Sequence, residues 1–578
     1  MEGIGVTATG VVVLLLSALI AAPGLARGQY DDDGWSEWPK SWVNQGGDIT
    51  NRREAKFETK ISTETVTSLA LKWTAQARFD VPATPAIDAC LGVVYFSSWD
   101  GCQYAVKKDT GERIWKVNLT VIAATIPELA NVAPFTIEYV SRSTPTIAGP
   151  LLVFGLYNPC YVFALNRTSG ALVWWSSLET NPFCVVTQSG TYHNQSIYIG
   201  TSSAEEELGN ATTCCTFQGK FFKLDANTGK TAWQVRMLPD NHGQIGLYAG
   251  ASVWGSSPSI DVSRRLVYIA TGNGYSAPPD VQACEEARMN ETNPPVPDPC
   301  IRPDDHSESI LGIDIDTGNI TWARHLGAYD TWSAVCQLSP VQLPNCPKIY
   351  GPDYDFGEAP FLLTIKDENG SGWRWRDVVT AGQKSGIIHT LDRETGEIVW
   401  QTVFVFSSLA GVYRWVAGPG GGVGGASYGM STDGERVYTS IINSDGSNFT
   451  LVPSSTVITW GGWVAMNAST GKVIWSTANQ VQLSALSPVA YANGVVFGSS
   501  VGNASSPTGT PSGQIVALDA MTGTILWEYT TPGGLVGGVS ILDGCIFQPV
   551  GGTPTGFFGN WTNPAIHGNA TLCLCVPS

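Results

Sequence analysis

The chain has 578 residues, of which 43% are hydrophobic and 14% charged, with a formal charge of -17, 64 glycines, 34 prolines and 21 tryptophans. The acidic balance excludes nucleic acid and anionic membrane surfaces as partners, since both require clustered Lys and Arg. The aromatic content excludes a disordered chain, and with no sustained 3.6-residue apolar stripe the expectation is a large, Trp-rich all-β protein.

In chain order, residues 11–20 (VVVLLLSALI) form an apolar run too short to span a bilayer comfortably. Gly24 and Ala26 before Arg27 complete a secretory signal peptide over 1–26, leaving 27–578 as one domain. Two further features fit export. Twelve Asn-x-Ser/Thr sequons stand at Asn118, Asn166, Asn194, Asn210, Asn290, Asn319, Asn369, Asn448, Asn467, Asn503, Asn560 and Asn569, so the expectation is a secreted glycoprotein. The 13 cysteines suit an oxidising compartment, with Cys284/Cys300 and Cys336/Cys346 spaced as local staples. The odd count leaves at least one thiol outside intrachain pairs.

The dominant feature is a repeat. YAVKKDTGERIW ends at Trp115 and recurs in copies ending at Trp174, Trp233, Trp322, Trp400, Trp475 and Trp527, each with Gly four residues before Trp. The alternating residues before the turn make one strand. Asx with Thr-Gly makes a tight turn, Gly supplying φ > 0, and the second strand ends in a Trp large enough to fill the wedge between sheets. A shorter strand pair precedes most copies, as in SPVAYANGVVFGSS, residues 487–500. Four strands per unit, repeated radially, predict a β-propeller. Seven units are complete. The eighth is assembled from residues 69–73 at one end and from 538–550 and 570–575 at the other, giving eight blades and a closed ring without sheet edges. A Pro-rich insert at 277–303 accounts for the longest interval between repeat tryptophans.

The D-x-x-T-G-x-x-x-W repeat resembles the blade motif of quinoprotein alcohol dehydrogenases that use pyrroloquinoline quinone (PQQ). WVNQGGDITNRR (42–53) and the stretch at 246–273 match the polyvinyl-alcohol-dehydrogenase-like branch best. The resemblance covers nearly all of the mature chain. It implies a planar quinone on the ring axis, stacked on a Trp, beside a Ca²⁺ held by Glu, Asn and Asp, with a basic residue at the ring carbonyls and an Asp as base.

Carried over residue by residue, the resemblance implies metal ligands Glu205 in SSAEE and Asn273 in ATGN, with Trp254 in VWGS as the stacking residue. It further implies Lys384 in QKSG against the quinone and Arg142 in SRSTP near the cofactor carboxylates. Two departures stand out. The position of the family's catalytic Asp falls on Ser333, so Asp330 is the expected base and a third metal ligand through a shifted loop, with a plain turn role as the alternative. Cys214 and Cys215 lie in the third blade, not where some relatives carry an adjacent-cysteine disulfide. They form either a ring at the cofactor or bonds to two different partners.

The expected activity is oxidation of a small or polymeric alcohol or polyol, with electrons leaving to a separate acceptor because no C-x-x-C-H haem motif occurs. The six histidines show no zinc spacing. The alternative is a secreted propeller without catalysis that binds protein or glycan.

Overall fold

The computed structural model describes residues 41–136, 138–288, 298–327, 329–343, 345–369, 372–402, 405–406, 413–414, 420, 424–426, 428–501, 513–552 and 568–577. The leader expected over 1–26 lies outside these residues, as do the sequons at Asn290, Asn503 and Asn560. Among the described residues no helix is long and apolar enough to cross a membrane.

Eight four-stranded antiparallel sheets form the ring, as the repeat predicts. Blade 1 runs Ala86–Asp88, Val93–Ser98, Cys102–Lys107 and Arg113–Asn118 from its inner to its outer strand. Blades 2 to 7 repeat this order, beginning at Thr146–Ala148, Thr191–His193, Ser259–Asp261, Phe361–Asn369, Ser431–Thr432 and Ala490–Ala492. Blade 8 takes Ser540–Leu542, Cys545–Val550 and Ala570–Cys575 from the C-terminal region, and Ala70–Gln76 closes it as the outer strand. The disulfide Cys545–Cys575 ties the two strands that precede this closure.

The repeat residues explain how blades dock. In the turns, Asp225, Asp314, Asp392 and Asp519 each accept hydrogen bonds from backbone N–H groups two and three residues on. Asn166 and Asn467 do the same, so two of the twelve sequons are also what turn chemistry produces. Each repeat Trp except Trp527, and Trp73 in blade 8, then packs on the turn glycine of the next blade. A Cβ added at Gly229 would come within 2.4 Å of the Trp174 ring, and one at Gly318 within 2.8 Å of Trp233. The indole Nε1 donates to a carbonyl in the same turn: Trp73 to Lys108, Trp115 to Arg167, Trp174 to Ala226, Trp233 to Ile315, Trp322 to Arg393, Trp400 to Ala468 and Trp475 to Ala520, at 2.8–3.2 Å. Seven of the eight seams are clamped this way. Trp527 has no such turn to meet, because the two outer strands of blade 8 come from opposite ends of the chain. The apolar core accordingly lies in layers between blades, as where Tyr95 and Trp115 of blade 1 cluster with Leu152 and Phe163 of blade 2.

Five disulfides are present: Cys160–Cys184, Cys214–Cys215, Cys284–Cys300, Cys336–Cys346 and Cys545–Cys575. Both predicted staples form, and the adjacent pair closes on itself instead of reaching two partners. Cys90, Cys102 and Cys573 are free. The Pro-rich insert contributes the helix Pro279–Arg288.

Candidate active site on the propeller axis

The segment 42–55 crosses one end of the axis and touches all eight blades. Trp42 bridges Ile87 of blade 1, and the Val43 and Ile49 carbonyls accept from Ile147 of blade 2 and Ile260 of blade 4. Asn44 Nδ2 donates to Thr191 of blade 3, and the Thr50 carbonyl accepts from Leu362 of blade 5. The Arg53 carbonyl accepts from Ser431 Oγ of blade 6 and from the Tyr491 amide of blade 7, while its guanidinium reaches the Val539 carbonyl at blade 8. Asn51 and Arg53 adopt positive φ of 58° and 51°, so the segment kinks where it meets successive blades.

A cavity on the axis has Gln45 of this segment on its wall together with Arg142, Trp254 and Tyr428. The Trp254 backbone is fixed by Thr187 Oγ1 donating to its carbonyl at 3.0 Å and by Gln188 Nε2 donating to the Gly255 carbonyl at 3.2 Å. Its indole is half-buried and meets the Tyr428 ring edge-on, 6.0 Å between centroids. Trp254 Nε1 and the Tyr428 hydroxyl are both buried without a hydrogen-bond partner.

Lys384 joins this group. Its ammonium lies 5.7 Å from the Trp254 ring centroid and donates to Asp353 Oδ1 at 2.8 Å and Asp355 Oδ2 at 3.1 Å. Burial opposes the ammonium charge, but Asp353 and Asp355 outweigh it and hold the Lys384 pKa well above the usual lysine value. Asp355 Oδ1 also accepts from the Asn273 amide. That approach requires Gly272, where a Cβ would fall 2.5 Å from Asp355 Oδ1. Asn273 Nδ2 is spent on the Gly274 and Trp332 carbonyls at 3.0 and 3.1 Å, which leaves Oδ1 as the ligand atom it offers. Thus Trp254, Asn273 and Lys384, chosen from sequence, are brought together, with Arg142 on the same cavity.

Two of the expected site carboxylates are engaged by backbone amides. Glu205 was expected to face a metal, yet its carboxylate accepts the backbone N–H groups of Thr216 and Phe217, at 3.0 and 2.8 Å to Oε2, and so fastens the loop carrying Cys214–Cys215. Its neighbour Glu206 turns to the axis: Oε2 is buried without a partner, and burial followed by Asp355 and Asp353 drives its pKa well above the carboxylate range. Glu207 is pushed up to about 8, mainly by burial, against the pull of Lys384 and Arg142.

Asp330 was expected to be the base and a metal ligand. Both of its oxygens instead accept backbone amides, Asp353 N at 3.1 Å and Tyr354 N at 2.6 Å, and Gly351 lacks a Cβ where Asp330 Oδ1 would stand 2.0 Å away. It therefore shapes the loop that presents Asp353 and Asp355 to Lys384. Ser333 is fully buried at the N-cap position of the short helix Ala334–Gln337, with no capping bond from its side chain and its Oγ without a partner.

Asp353, Asp355, Glu206 and Glu308 were missed from sequence. The available signal was D-Y-D at 353–355, an acidic pair without the Thr-Gly of a blade turn. Glu308 is buried, with Oε2 accepting from Gln383 Nε2 at 2.6 Å and Oε1 unpartnered. Six carboxylates (Glu206, Glu207, Glu308, Asp330, Asp353, Asp355) thus influence one another around two cations, Lys384 and Arg142. Excess buried negative charge of this kind invites a further cation.

Comparison with known proteins shows what the chain as a whole is similar to. A family model described as PQQ_2, outer membrane protein assembly factor BamB, matches residues 460–552. Polyvinylalcohol dehydrogenase of a Pseudomonas species is 26% identical over 523 residues, covering 85% of this chain and 68% of that protein. The enzyme of the same name from a Sphingopyxis species is 26% identical over 498 residues, covering 83% and 66%. The chain thus spans about two thirds of the length of these relatives. Among solved structures, quinohemoprotein alcohol dehydrogenase from Comamonas testosteroni shares the fold with a TM-score of 0.64 at 19% identity, over 93% of this chain and 80% of that one. The chain therefore resembles the PQQ-type alcohol dehydrogenases, the polyvinyl alcohol dehydrogenases among them, along most of its length.

Proposed function

We propose that this protein is an exported PQQ-dependent alcohol dehydrogenase that oxidises an alcohol or polyol and passes electrons to a separate acceptor. The observation that carries the reading is the Lys384 ammonium held over the Trp254 ring while bonded to Asp353 and Asp355. The residues present fit the cofactor. A half-buried indole face, two cations and the partnerless Trp254 Nε1 and Tyr428 hydroxyl suit a flat polyanion with ring carbonyls. Oxygen donors from Glu206, Asn273 and Asp355 suit Ca²⁺. Among the described residues no three carboxylates of this cluster gather within 4.8 Å, so a cation there would draw on the Asn273 Oδ1 as well as on carboxylates.

When bound, PQQ beside Ca²⁺ supplies a two-electron oxidant with a Lewis acid at its carbonyl. The chain supplies the rest. Asp353 takes the substrate hydroxyl proton; burial raises its pKa above the carboxylate norm, and the Lys384 ammonium bonded to Oδ1 opposes that rise. Lys384 donates its hydrogen bonds to the acidic pair and keeps a cation at the ring face. Asp330 holds the amides of residues 353 and 354, fixing the base against the axis. Export is supported by the apolar run at 11–20 and by five disulfides. Exposed sequons at Asn194, Asn210, Asn319, Asn448 and Asn569 are the proposed glycan sites.

The test is titration of the protein with PQQ, with and without Ca²⁺, read by Trp fluorescence and followed by a dye-linked alcohol screen. Saturable, Ca²⁺-dependent quenching that Trp254→Ala and Glu206→Gln both weaken is expected. Absence of binding at micromolar quinone refutes the reading and leaves a propeller scaffold.

A further inference from the structure

Three of the 13 cysteines meet in the blade that closes the ring. Cys573 and Cys575 stand two residues apart on the strand Ala570–Cys575, so their side chains leave the same face of the sheet. Cys575 pairs in register with Cys545 on the neighbouring strand and is bonded to it. Cys573 remains a free thiol, with its Sγ 3.4 Å from Cys575 Sγ. All three sulfurs lie within 4.8 Å of one another.

The surroundings restrict what this thiol can meet. Cys573 stands opposite Trp73 on one neighbouring strand and Phe547 on the other, and the centroids of those two rings are 5.8 Å apart. It is 0% exposed, whereas Cys575 is half-buried. A reagent in water is therefore screened from Cys573, while a disulfide sulfur is in van der Waals contact with it. Reaction with that sulfur needs no oxidant, because exchange moves a sulfur–sulfur bond without changing the number of disulfides.

We propose that Cys573, Cys575 and Cys545 form an internal thiol–disulfide exchange site. The Cys573 thiolate attacks Cys575 Sγ, a Cys573–Cys575 bond forms and the Cys545–Cys575 bond breaks. Cys545 leaves as a thiolate and takes up the proton that Cys573 released, so one disulfide and one thiol stand on each side. The link moves from between two strands to within one. Cys545–Val550 then loses its covalent tie to Ala570–Cys575 and keeps only the ladder of hydrogen bonds. Burial pushes the Cys573 thiol up to about 12, with Asp109 acting in the same direction and Lys72 and Lys108 opposing. Attack requires the thiolate, so exchange quickens about tenfold per pH unit below that value. The site lies in the closing blade and does not depend on what the axis binds.

The test incubates the native full-length protein with excess iodoacetamide at two values one pH unit apart, followed by acid quenching and peptide mass spectrometry. Label accumulates at Cys545, accompanied by a linked Cys573–Cys575, about ten times faster at the higher pH. Alkylation is irreversible, so even a small exchanged fraction is drawn off. Cys90, which is exposed, takes label directly and shows that the reagent is active. Cys573→Ala, with a small apolar group in place of the buried thiol, leaves Cys545 unlabelled. Cys545→Ser leaves Cys573 and Cys575 as thiols in contact, and mild oxidation joins them. Label on Cys573 with Cys545–Cys575 intact, no label on either residue after a day, label on Cys545 in Cys573→Ala, or two thiols surviving oxidation in Cys545→Ser each overturns the proposal.

Discussion

The seam between blades 7 and 8 lacks the tryptophan clamp that joins the other blades at their outer strands, and Arg53 instead bridges these two blades at their inner strands. Its Nε donates to the Val489 carbonyl beside blade 7 at 2.8 Å, Nη2 reaches the Val539 carbonyl beside blade 8 at 3.3 Å, and Nη1 meets the Gln45 carbonyl. The side chain is 1% exposed, lies 5.7 Å from the Trp42 ring centroid, and fits because a Cβ at Gly538 would stand 2.4 Å from Nη2. Arg53→Met keeps most of the volume and strips three carbonyls of their donor. At about 1–3 kcal/mol for each buried acceptor left unpaired, and the low end for the long Val539 bond, the loss is about 3–6 kcal/mol.

An eight-bladed chain need not unfold in one step, so the local readout is amide hydrogen exchange. Protection in Ser540–Leu542 and Ala490–Ala492 should fall about a hundredfold or more, with a Tm lower by about 3–5 °C. Blade 3, whose seams are clamped by Trp174 and Trp233, serves as the internal control. Unchanged exchange at the seam, or an equal loss in blade 3, refutes the view that Arg53 replaces the missing clamp.

Three further outcomes follow from the geometry. Gly229→Ala drives a Cβ into Trp174 and should destabilise by about 3 kcal/mol or more, whereas Gly434→Ala, at φ 89° with nothing within 4 Å, should cost only about 1–2 kcal/mol of backbone strain; chemical denaturation of the pair checks this. Burial raises the Glu358 pKa to about 8 despite amide donors from Gly382 and Met430 and the nearby Arg53. A carboxyl whose folded pKa lies above its unfolded value stabilises most below the unfolded value and loses that contribution as pH rises through the folded one. Stability should therefore fall between about pH 4.5 and 8, by up to about 1.4 kcal/mol per pH unit from this group, and Glu358→Gln should flatten that slope. Finally, Lys384→Met frees Asp353 and Asp355 from their ammonium partner. Calorimetry should show Ca²⁺ binding about tenfold tighter and PQQ binding weaker; weaker binding of both would mean that the loop had collapsed.

Much of the architecture was written in the repeat. Asx-x-Thr-Gly turns and tryptophans four residues beyond glycine act within a few residues, so seven blades could be counted from local chemistry, and the incomplete strands at the two ends supplied the eighth. Trp254, Asn273 and Lys384 were pointed to by the family resemblance, and of the three only Trp254 departs from the blade pattern around it. Which carboxylate faces the axis was not. Glu205 and Glu206 are neighbours in sequence, and only the amides of Thr216 and Phe217, brought up from the following loop, occupy the first and leave the second turned inward. Asp330 likewise looks like a base until the distant 351–354 loop folds over it and consumes both oxygens. The plug formed by 42–55 has no periodic signature, since its hydrogen bonds are made one blade at a time across the ring. Short-range turn and strand preferences therefore determined the ring, whereas the orientation of single oxygens on the axis depended on contacts between segments far apart in the chain, which only the tertiary structure brings together.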